Sequence, residues 1–259
     1  MVARLAWTLR DGYVVAGRNM RHFIRQPQLL LFSTVQPIMF VLLFSYVFGG
    51  AIGGSLPAGV SYKDFLLPGI LIQSTAFRAT QTAIGLSEDM KRGVIDRFRS
   101  MPMARSAVLA GRTLADLVRT IIVIGIMLAV GYAIGFRFGQ GALSAIASIL
   151  VVAAFGFALS WIFAYVGLIA KGPEAAQSAG FVAIFPLVFA SSIFVPVDTM
   201  PSWLQSIADV SPVTATADTA RALAIGGDVW SSLWQVLAWV IGILIVFVPL
   251  CVRKYRRLQ

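Results

Sequence analysis

The sequence contains few of the residues that build catalytic and metal sites. Cys251 is its one cysteine and His22 its one histidine among 259 residues. A single cysteine excludes a disulfide within the chain, and a lone imidazole without carboxylate or thiol company does not indicate a metal site. The sequence also shows no pairing of a nucleophile with a general base. We therefore expect that the chain is not an enzyme.

Charged residues are scarce too, at 12% of the sequence, whereas 58% of the residues are hydrophobic. The mean hydropathy of +0.84 exceeds what soluble domains of this length usually show. Six apolar runs are long enough to cross a bilayer as helices, and they are continuous instead of alternating, which argues against strands. These runs are 29–49, 65–86, 113–136, 142–169, 176–197 and 231–251. We predict an all-α polytopic membrane protein, a single transmembrane domain over 1–259 with six transmembrane helices.

Acidic residues are fewer than basic ones, at 11 against 21, and the basic residues are unevenly placed. They concentrate before the first run, between the second and third runs, and after the last run. Lys and Arg are enriched on the cytoplasmic side of membrane proteins, so we expect both termini to be cytoplasmic in a multi-pass protein of the cell membrane. The formal charge of +10 then reflects this bias and contact with anionic membrane lipid. Nucleic acid is not an expected partner.

Two segments outside the runs have a predicted structure. Residues 1–27 place Leu5, Leu9 and Tyr13 on one helix face and basic residues on the other, which predicts an amphipathic helix lying at the inner membrane interface. Residues 199–228 are neither apolar enough to span nor strongly charged. We predict short helices there, at the outer face, with Trp203 at headgroup level.

A charged segment, residues 88–102, separates the second and third runs. It holds seven charged side chains in fifteen residues, together with an apolar stripe of Met90, Val94, Ile95 and Phe98 at helical spacing. Pro102 ends this predicted helix because proline has no backbone N–H. A short charged helix between membrane spans lies at the membrane surface, where it can contact a soluble partner.

The second run has an inner half that is too polar for lipid. Its polar residues, which are the candidates for lining a transport path, are Gln73, Ser74, Arg78, Gln81 and Thr82, and all except Gln73 share one helix face. Two interpretations of Arg78 stay open: a residue lining a transport path, or a structural ion pair with Asp116 or Glu88. The third run begins with a charge row, Arg112, Asp116 and Arg119, which we expect to pair with the charged segment.

Three stretches carry a resemblance to a known family. The charged segment resembles a coupling helix through its acid, Gly93, the Asp96–Arg97 pair and Pro102. Residues 194–204, Phe-Val-Pro-Val-Asp-Thr-Met-Pro-Ser-Trp-Leu, resemble the turn after a fifth span, and 211–221 resemble an Asn-Pro-hydrophobic-Thr…Arg segment in which Ser211 replaces Asn. Together they resemble the membrane subunit of type-2 ABC exporters, most of all the daunorubicin-resistance branch of drug-efflux permeases, over essentially the whole chain.

The resemblance implies partners and roles. Two permease chains, identical or different, would form the membrane pathway, and two ATPase subunits would bind below it. The residues implied to couple to the ATPase are Glu88, Arg92, Gly93, Ile95, Asp96, Arg97, Phe98 and Arg99, with motion passed to the first, second and fifth spans. The sequence lacks Gly-x-x-x-x-Gly-Lys-Ser/Thr. We therefore expect no cofactor in this chain, and ATP and Mg to bind the partner subunit.

Several alternatives compete with this interpretation. The implied cargo is a drug, an antibiotic or another hydrophobic small molecule or lipid, with lipid-linked polysaccharide as the alternative. An ABC importer is suggested by Glu174-Ala175-Ala176 and Gly180, but the next run begins too soon for the importer's cytoplasmic helices. An ion-coupled transporter would need an acid within a span, and every Asp and Glu lies at or outside a predicted span end.

Overall fold

The computed structural model describes residues 27–52, 56, 60–94 and 105–257, and all regular secondary structure in them is helical. A π-helical segment, Phe44–Phe48, joins the first two helices, and a 3₁₀ turn, Val197–Thr199, follows the sixth. The helices are α1 (Pro27–Leu43), α2 (Gly49–Ile52), α3 (Tyr62–Lys91), α4 (Arg105–Ala133), α5 (Gly141–Ile169), α6 (Pro173–Phe189), α7 (Ser202–Asp209), α8 (Pro212–Ile225) and α9 (Trp230–Arg257). The prediction of an all-α membrane protein is confirmed at this level.

Among the described residues, three helices are long and apolar enough to cross a membrane by themselves. They are the stretch Gly111–Ala133 of α4, the whole of α5, and α9. Shorter apolar helices cover Val35–Phe48 and Pro173–Phe189. The helix α3 has 30 residues, about 45 Å at 1.5 Å per residue, but its second half carries polar side chains. The six-span topology stays a prediction.

Two predicted boundaries differ from the helix ends. The fifth run was predicted to continue to residue 197, whereas α6 ends at Phe189 and the N–H of Ala190 makes the last helical bond, 2.9 Å from the Pro186 carbonyl oxygen. The backbone after Phe189 turns because its polar groups, such as the N–H and carbonyl of Ser192, bond to side chains of α8 instead of continuing α6. The charged segment was predicted as a helix from Glu88, whereas residues 88–91 form the last turn of α3. Residues 95–102 of it, and the predicted interfacial helix up to residue 26, lie outside the described residues.

The central helix is α3, which packs against α5, α6 and α8. Most of its first half is buried, with Leu66, Leu67, Ile70 and Ile72 at 0% exposure. Neighbouring helices therefore cover much of α3, whose second half is too polar to face lipid.

Small residues bring the neighbouring helices close to α3. A side-chain carbon at Gly167 of α5 would lie 2.6 Å from the carbonyl oxygen of Ala83, so only glycine fits there. At Gly180 of α6 such a carbon would lie 3.1 Å from Thr80 Cβ. Close backbone approach at small residues is how membrane helices gain packing energy without a hydrophobic driving force.

The helices α7 and α8 occupy the segment 199–228 for which the sequence predicted short helices. Ser211 precedes α8, and its hydroxyl accepts a hydrogen bond of 3.3 Å from the N–H of Val213. Pro212 takes the first helical position, where a missing N–H costs nothing. Much of α8 is buried, since it packs against α3, α5 and α9.

Candidate functional site

The charged segment begins as a direct continuation of α3. The N–H of Arg92 bonds to the Glu88 carbonyl at 2.9 Å, and the N–H of Gly93 bonds to the Met90 carbonyl at 3.1 Å. Gly93 then has φ +66°, in the left-handed region where glycine is strain-free. The chain therefore turns sharply at Gly93 on leaving a continuous 30-residue helix. Five of the residues implied to couple to an ATPase, Ile95, Asp96, Arg97, Phe98 and Arg99, lie outside the described residues.

Two ion pairs of different strength lie at this end of α3. Arg92 and Glu88 are 3.7 Å apart and both exposed, so their pair contributes little to stability. The Arg112 guanidinium of α4 is 2.5 Å from the Asp89 carboxylate, and both side chains are largely shielded. This pair confirms the prediction that the charge row of the third span contacts the charged segment, and it fixes the end of α3 to α4.

A second polar contact joins α3 to α4, two helical turns before Asp89 on α3. The Thr82 hydroxyl donates a hydrogen bond of 2.8 Å to the Asp116 carboxylate. Arg119 Nη1 lies 3.4 Å from the other oxygen of Asp116, and the Thr120 hydroxyl donates to its backbone carbonyl at 2.8 Å. Asp116 is therefore held from three directions, and the pairing of Thr82 with it explains why a threonine lies fully buried there.

Arg78 is a residue of α3, and its side chain faces α4 and α5. It lines a small cavity of about 10 Å³ together with Asp116 and Thr120 of α4 and Gly156 and Ser160 of α5, which is room for about one water molecule. Its Nε has no hydrogen-bond partner within the described part of the chain. Glu88, one of the two acids considered as its partner, pairs with Arg92 instead, while Asp116 shares the cavity with Arg78.

The other polar residues of α3 have different surroundings. Gln73 is 4% exposed, and the Ser74 hydroxyl donates to the Ile70 carbonyl at 2.6 Å. Gln81 is exposed, whereas the next residue, Thr82, is buried. Neighbouring residues point about 100° apart on a helix, so the predicted polar face divides between the α4 contact and an open surface.

A row of phenylalanine rings extends from the open surface beside Gln81. Phe77 meets Phe185 edge-on at 5.4 Å, Phe185 stacks on Phe189 at 5.2 Å, and Phe194 stacks on Phe44 at 4.9 Å. Three of these rings on α6 are between 39% and 47% exposed. The phenylalanine row consists of Phe44, Phe77, Phe181, Phe185, Phe189 and Phe194. Sequence reasoning missed it, although the four-residue spacing of the α6 rings was a usable signal.

The first turn of α3 is fastened by a buried arginine on α8. Arg221 Nε donates to the Phe65 carbonyl at 2.8 Å, and Nη2 donates to the carbonyls of Ser192 at 2.6 Å and Ile193 at 2.8 Å. Nη1 donates to the Ser192 hydroxyl at 3.1 Å and to the Asp218 carboxylate at 3.0 Å. One guanidinium thereby joins α8, α3 and the turn that follows α6.

The surroundings of Arg221 keep it charged and tightly enclosed. Burial lowers the pKa of its guanidinium to about 10, and the Asp218 carboxylate opposes that shift, so the cation persists at neutral pH. Its charge lies 3.6 Å from the centre of the Phe65 ring, a cation–π contact. A side-chain carbon at Gly69 would lie 2.6 Å from the Ile193 carbonyl oxygen. The sequence indicated Arg221 only through the resemblance, because all its hydrogen-bond partners except Asp218 are remote in sequence.

Comparison with known proteins places this architecture in a family. Residues 12–225 match the model of the ABC-2 type transporter family. The chain belongs to the ABC-2 type transporter family. Because the match extends from before α1 to the end of α8, the contacts of α3 and the Arg221 site all lie within the family region of this ABC-2 type transporter.

Individual relatives are similar over most of this chain. The chain is 36% identical to the daunorubicin resistance ABC transporter permease protein DrrB1 of Streptomyces coeruleorubidus, over 92% of this chain and 83% of that one. It is 29% identical to the probable doxorubicin resistance permease DrrC of Mycobacterium tuberculosis, over 87% and 80%. It is 23% identical to the probable multidrug permease YbhR of Escherichia coli K12, over 69% and 49%.

Proposed function

We propose that this ABC-2 type transporter chain is the permease subunit of an exporter of hydrophobic, drug-like molecules in the cell membrane. The similarity to DrrB1 over 92% of the chain carries this proposal, since that relative is named for daunorubicin resistance. The polysaccharide alternative has no specific observation in its favour. ATP and Mg bind a separate ATPase subunit, which contacts the permease from the cytoplasm.

The proposed coupling runs through α3. Its last turn is the start of the charged segment, and Asp89–Arg112 and Thr82–Asp116 attach that end to α4. Its first turns are attached to α8 and to the turn after α6 through Arg221. A displacement of the charged segment by an ATPase is therefore transmitted along one helix to the outer end of α6. Close packing at Gly180 supports joint movement of α3 and α6.

The proposed cargo surface is the open side of α3 and α6. It combines Gln81 with the exposed rings of the phenylalanine row, which suit hydrophobic and aromatic molecules. Ser74 lies between the two sides of the helix. Arg78 and Thr82 face α4 and serve the attachment of the helices, and Gln73 is buried by its neighbours. A second permease chain, identical or different, completes the pathway.

Efflux from cells tests this function. A bacterial strain sensitive to daunorubicin would express the permease with its cognate ATPase, the permease alone, or the permease with an ATPase whose phosphate-binding lysine is replaced. We expect cellular daunorubicin fluorescence to fall only in the strain that expresses the permease with its intact ATPase. Equal efflux by the permease alone, abolished by an uncoupler of the proton gradient, would instead identify a secondary transporter.

A further inference from the structure

Arg78 carries a positive charge near the middle of α3. Because α3 has 30 residues, this position is about 20 Å from each end of the helix. Its Nε is buried, and no described residue accepts a hydrogen bond from it. Asp116 and Arg119 are near enough to act on its charge, with opposite signs. A buried donor of a charged group is costly to leave unpaired, so the site needs an acceptor that the neighbouring side chains do not supply.

The cavity that Arg78 lines has room for one small ligand. Its volume is about 10 Å³, which admits one water molecule or an ion of similar size. A side-chain carbon at Gly156 of α5 would overlap the methyl group of Thr75, so α5 approaches α3 closely beside the cavity. A drug-sized cargo does not fit there, and the cavity is separate from the proposed cargo surface.

The hydrogen-bonding groups around the cavity are nearly all acceptors. The three hydroxyl groups of its lining residues already donate to backbone carbonyls of their own helices, at 2.7–2.8 Å. They belong to Thr75, Thr120 and Ser160. Arg78 is therefore the one side-chain donor left among the residues that line the cavity, whereas Asp116 and the hydroxyl oxygens can only accept.

This arrangement favours water over an ion. A halide could accept from Arg78, but it cannot donate, and it would lie beside the negative charge of Asp116. A metal cation would suit the oxygen atoms, but it would lie beside the positive charges of Arg78 and Arg119. Water accepts and donates, so it satisfies both kinds of group, and buried waters typically make about three hydrogen bonds.

We propose that this cavity holds one water molecule, which accepts a hydrogen bond from Arg78 Nε and donates to the Asp116 carboxylate and the Ser160 hydroxyl oxygen. The water joins α3, α4 and α5 at one point, and it makes the contact of Arg78 with Asp116 an indirect one. It is a component of the folded chain and not cargo, so its binding needs neither ATP nor the ATPase. The site does not depend on the proposed transport function.

Direct observation of the parent protein tests the proposal first. Electron microscopy of the full-length chain, held by a bound antibody fragment and at a resolution that shows ordered water, should reveal one density peak between Arg78 Nε and Asp116. Exchange of chloride for gluconate or bromide should leave the melting temperature unchanged. No peak in the cavity, in a map that shows water at other buried polar groups, would overturn the proposal. A melting temperature that falls in gluconate and recovers in bromide would also overturn it, because a halide would then occupy the cavity.

A double-mutant cycle tests the bridge itself. We expect Arg78→Met and Ser160→Ala each to lower the melting temperature, and the double variant to lose less than the sum of the two, since both changes disrupt the same water. Ser148 is the matched control, because it is also a buried serine of α5 that donates to a backbone carbonyl, that of Ala220 at 3.2 Å. It lies about 18 Å along the helix from Ser160, so Arg78→Met and Ser148→Ala should have additive effects. Additive losses in both pairs would overturn the proposal, and the density peak decides alone if Arg78→Met does not fold.

Discussion

Arg221 concentrates more hydrogen bonds than any other side chain described above, and its replacement should be costly. Arg221→Lys keeps the charge but offers one nitrogen where three now donate to groups on α3, α8 and the turn after α6. Each buried acceptor left unpaired costs about 1–3 kcal/mol. We expect a clear fall in the melting temperature of the purified chain in detergent, together with loss of export.

Arg137 supplies the matched control for this substitution. It also donates to two backbone carbonyls, those of Tyr132 and Phe136, each at 2.7 Å, but its side chain is exposed. Water can replace those bonds, so Arg137→Lys should melt close to the parent protein. Equal melting temperatures for the two lysine variants would show that Arg221 does not fasten the first turn of α3.

Arg78 should matter for assembly and not for the choice of cargo. The described residues give its Nε no hydrogen-bond partner, and the cavity it lines belongs to the contact of α3 with α4 and α5. We expect Arg78→Gln to lower the amount of folded protein while the relative efflux of several drugs stays the same. Phe185→Ala, on the open surface, should change relative efflux by several-fold because it removes an aromatic contact. A shifted drug profile in Arg78→Gln at a normal protein level would place this arginine on the transport path.

At the scale of elements, the turn at Gly93 should decide whether the charged segment is presented correctly. Its φ of +66° is strained for a β-branched residue but tolerated by asparagine. No described atom lies within 4 Å of a side-chain carbon placed there, so the effect acts through the backbone. Gly93→Val should insert into the membrane normally yet lose drug-stimulated ATP hydrolysis by the partner, whereas Gly93→Asn should keep most of it. Full stimulation in Gly93→Val would remove the charged segment from the coupling route.

Sequence reasoning identified some elements well and others incompletely. The fourth run, 142–169, nearly coincides with α5 (Gly141–Ile169), because a long apolar run flanked by polar residues has one helical solution. The Asp89–Arg112 pair was also predictable, since opposite charges at adjacent span ends have few other partners. The end of α6 at Phe189 was not predictable, because the hydrogen bonds that stabilise the turn after α6 come from Arg221, 29 residues after Ser192. The surroundings of Gln81 and Thr82 depended on which helices cover α3, and periodicity carries no such information.

At the scale of the whole molecule, the predicted topology places α7 outside the cell and the loop before α6 inside. Single cysteines in a Cys251→Ser chain test this, at Ser206 on α7 and at Ala175 and Arg99 on the predicted inner side. Ser206 and Ala175 are exposed, so a thiol at either place is reachable. An impermeant maleimide should label Ser206→Cys in intact cells. It should label Ala175→Cys and Arg99→Cys only after the cells are permeabilised. Labelling of Ala175→Cys from outside would reverse the orientation.

The central claim is that this permease moves its cargo when a separate ATPase acts on it through the charged segment. The most direct measurement is daunorubicin uptake into inside-out proteoliposomes that hold the permease and its ATPase, recorded together with phosphate release. Uptake should require ATP in the parent complex, and Gly93→Val should lose uptake while the ATPase subunit stays bound. Uptake without ATP, or ATP-driven uptake in Gly93→Val at the parental ratio of drug to phosphate, would contradict the account.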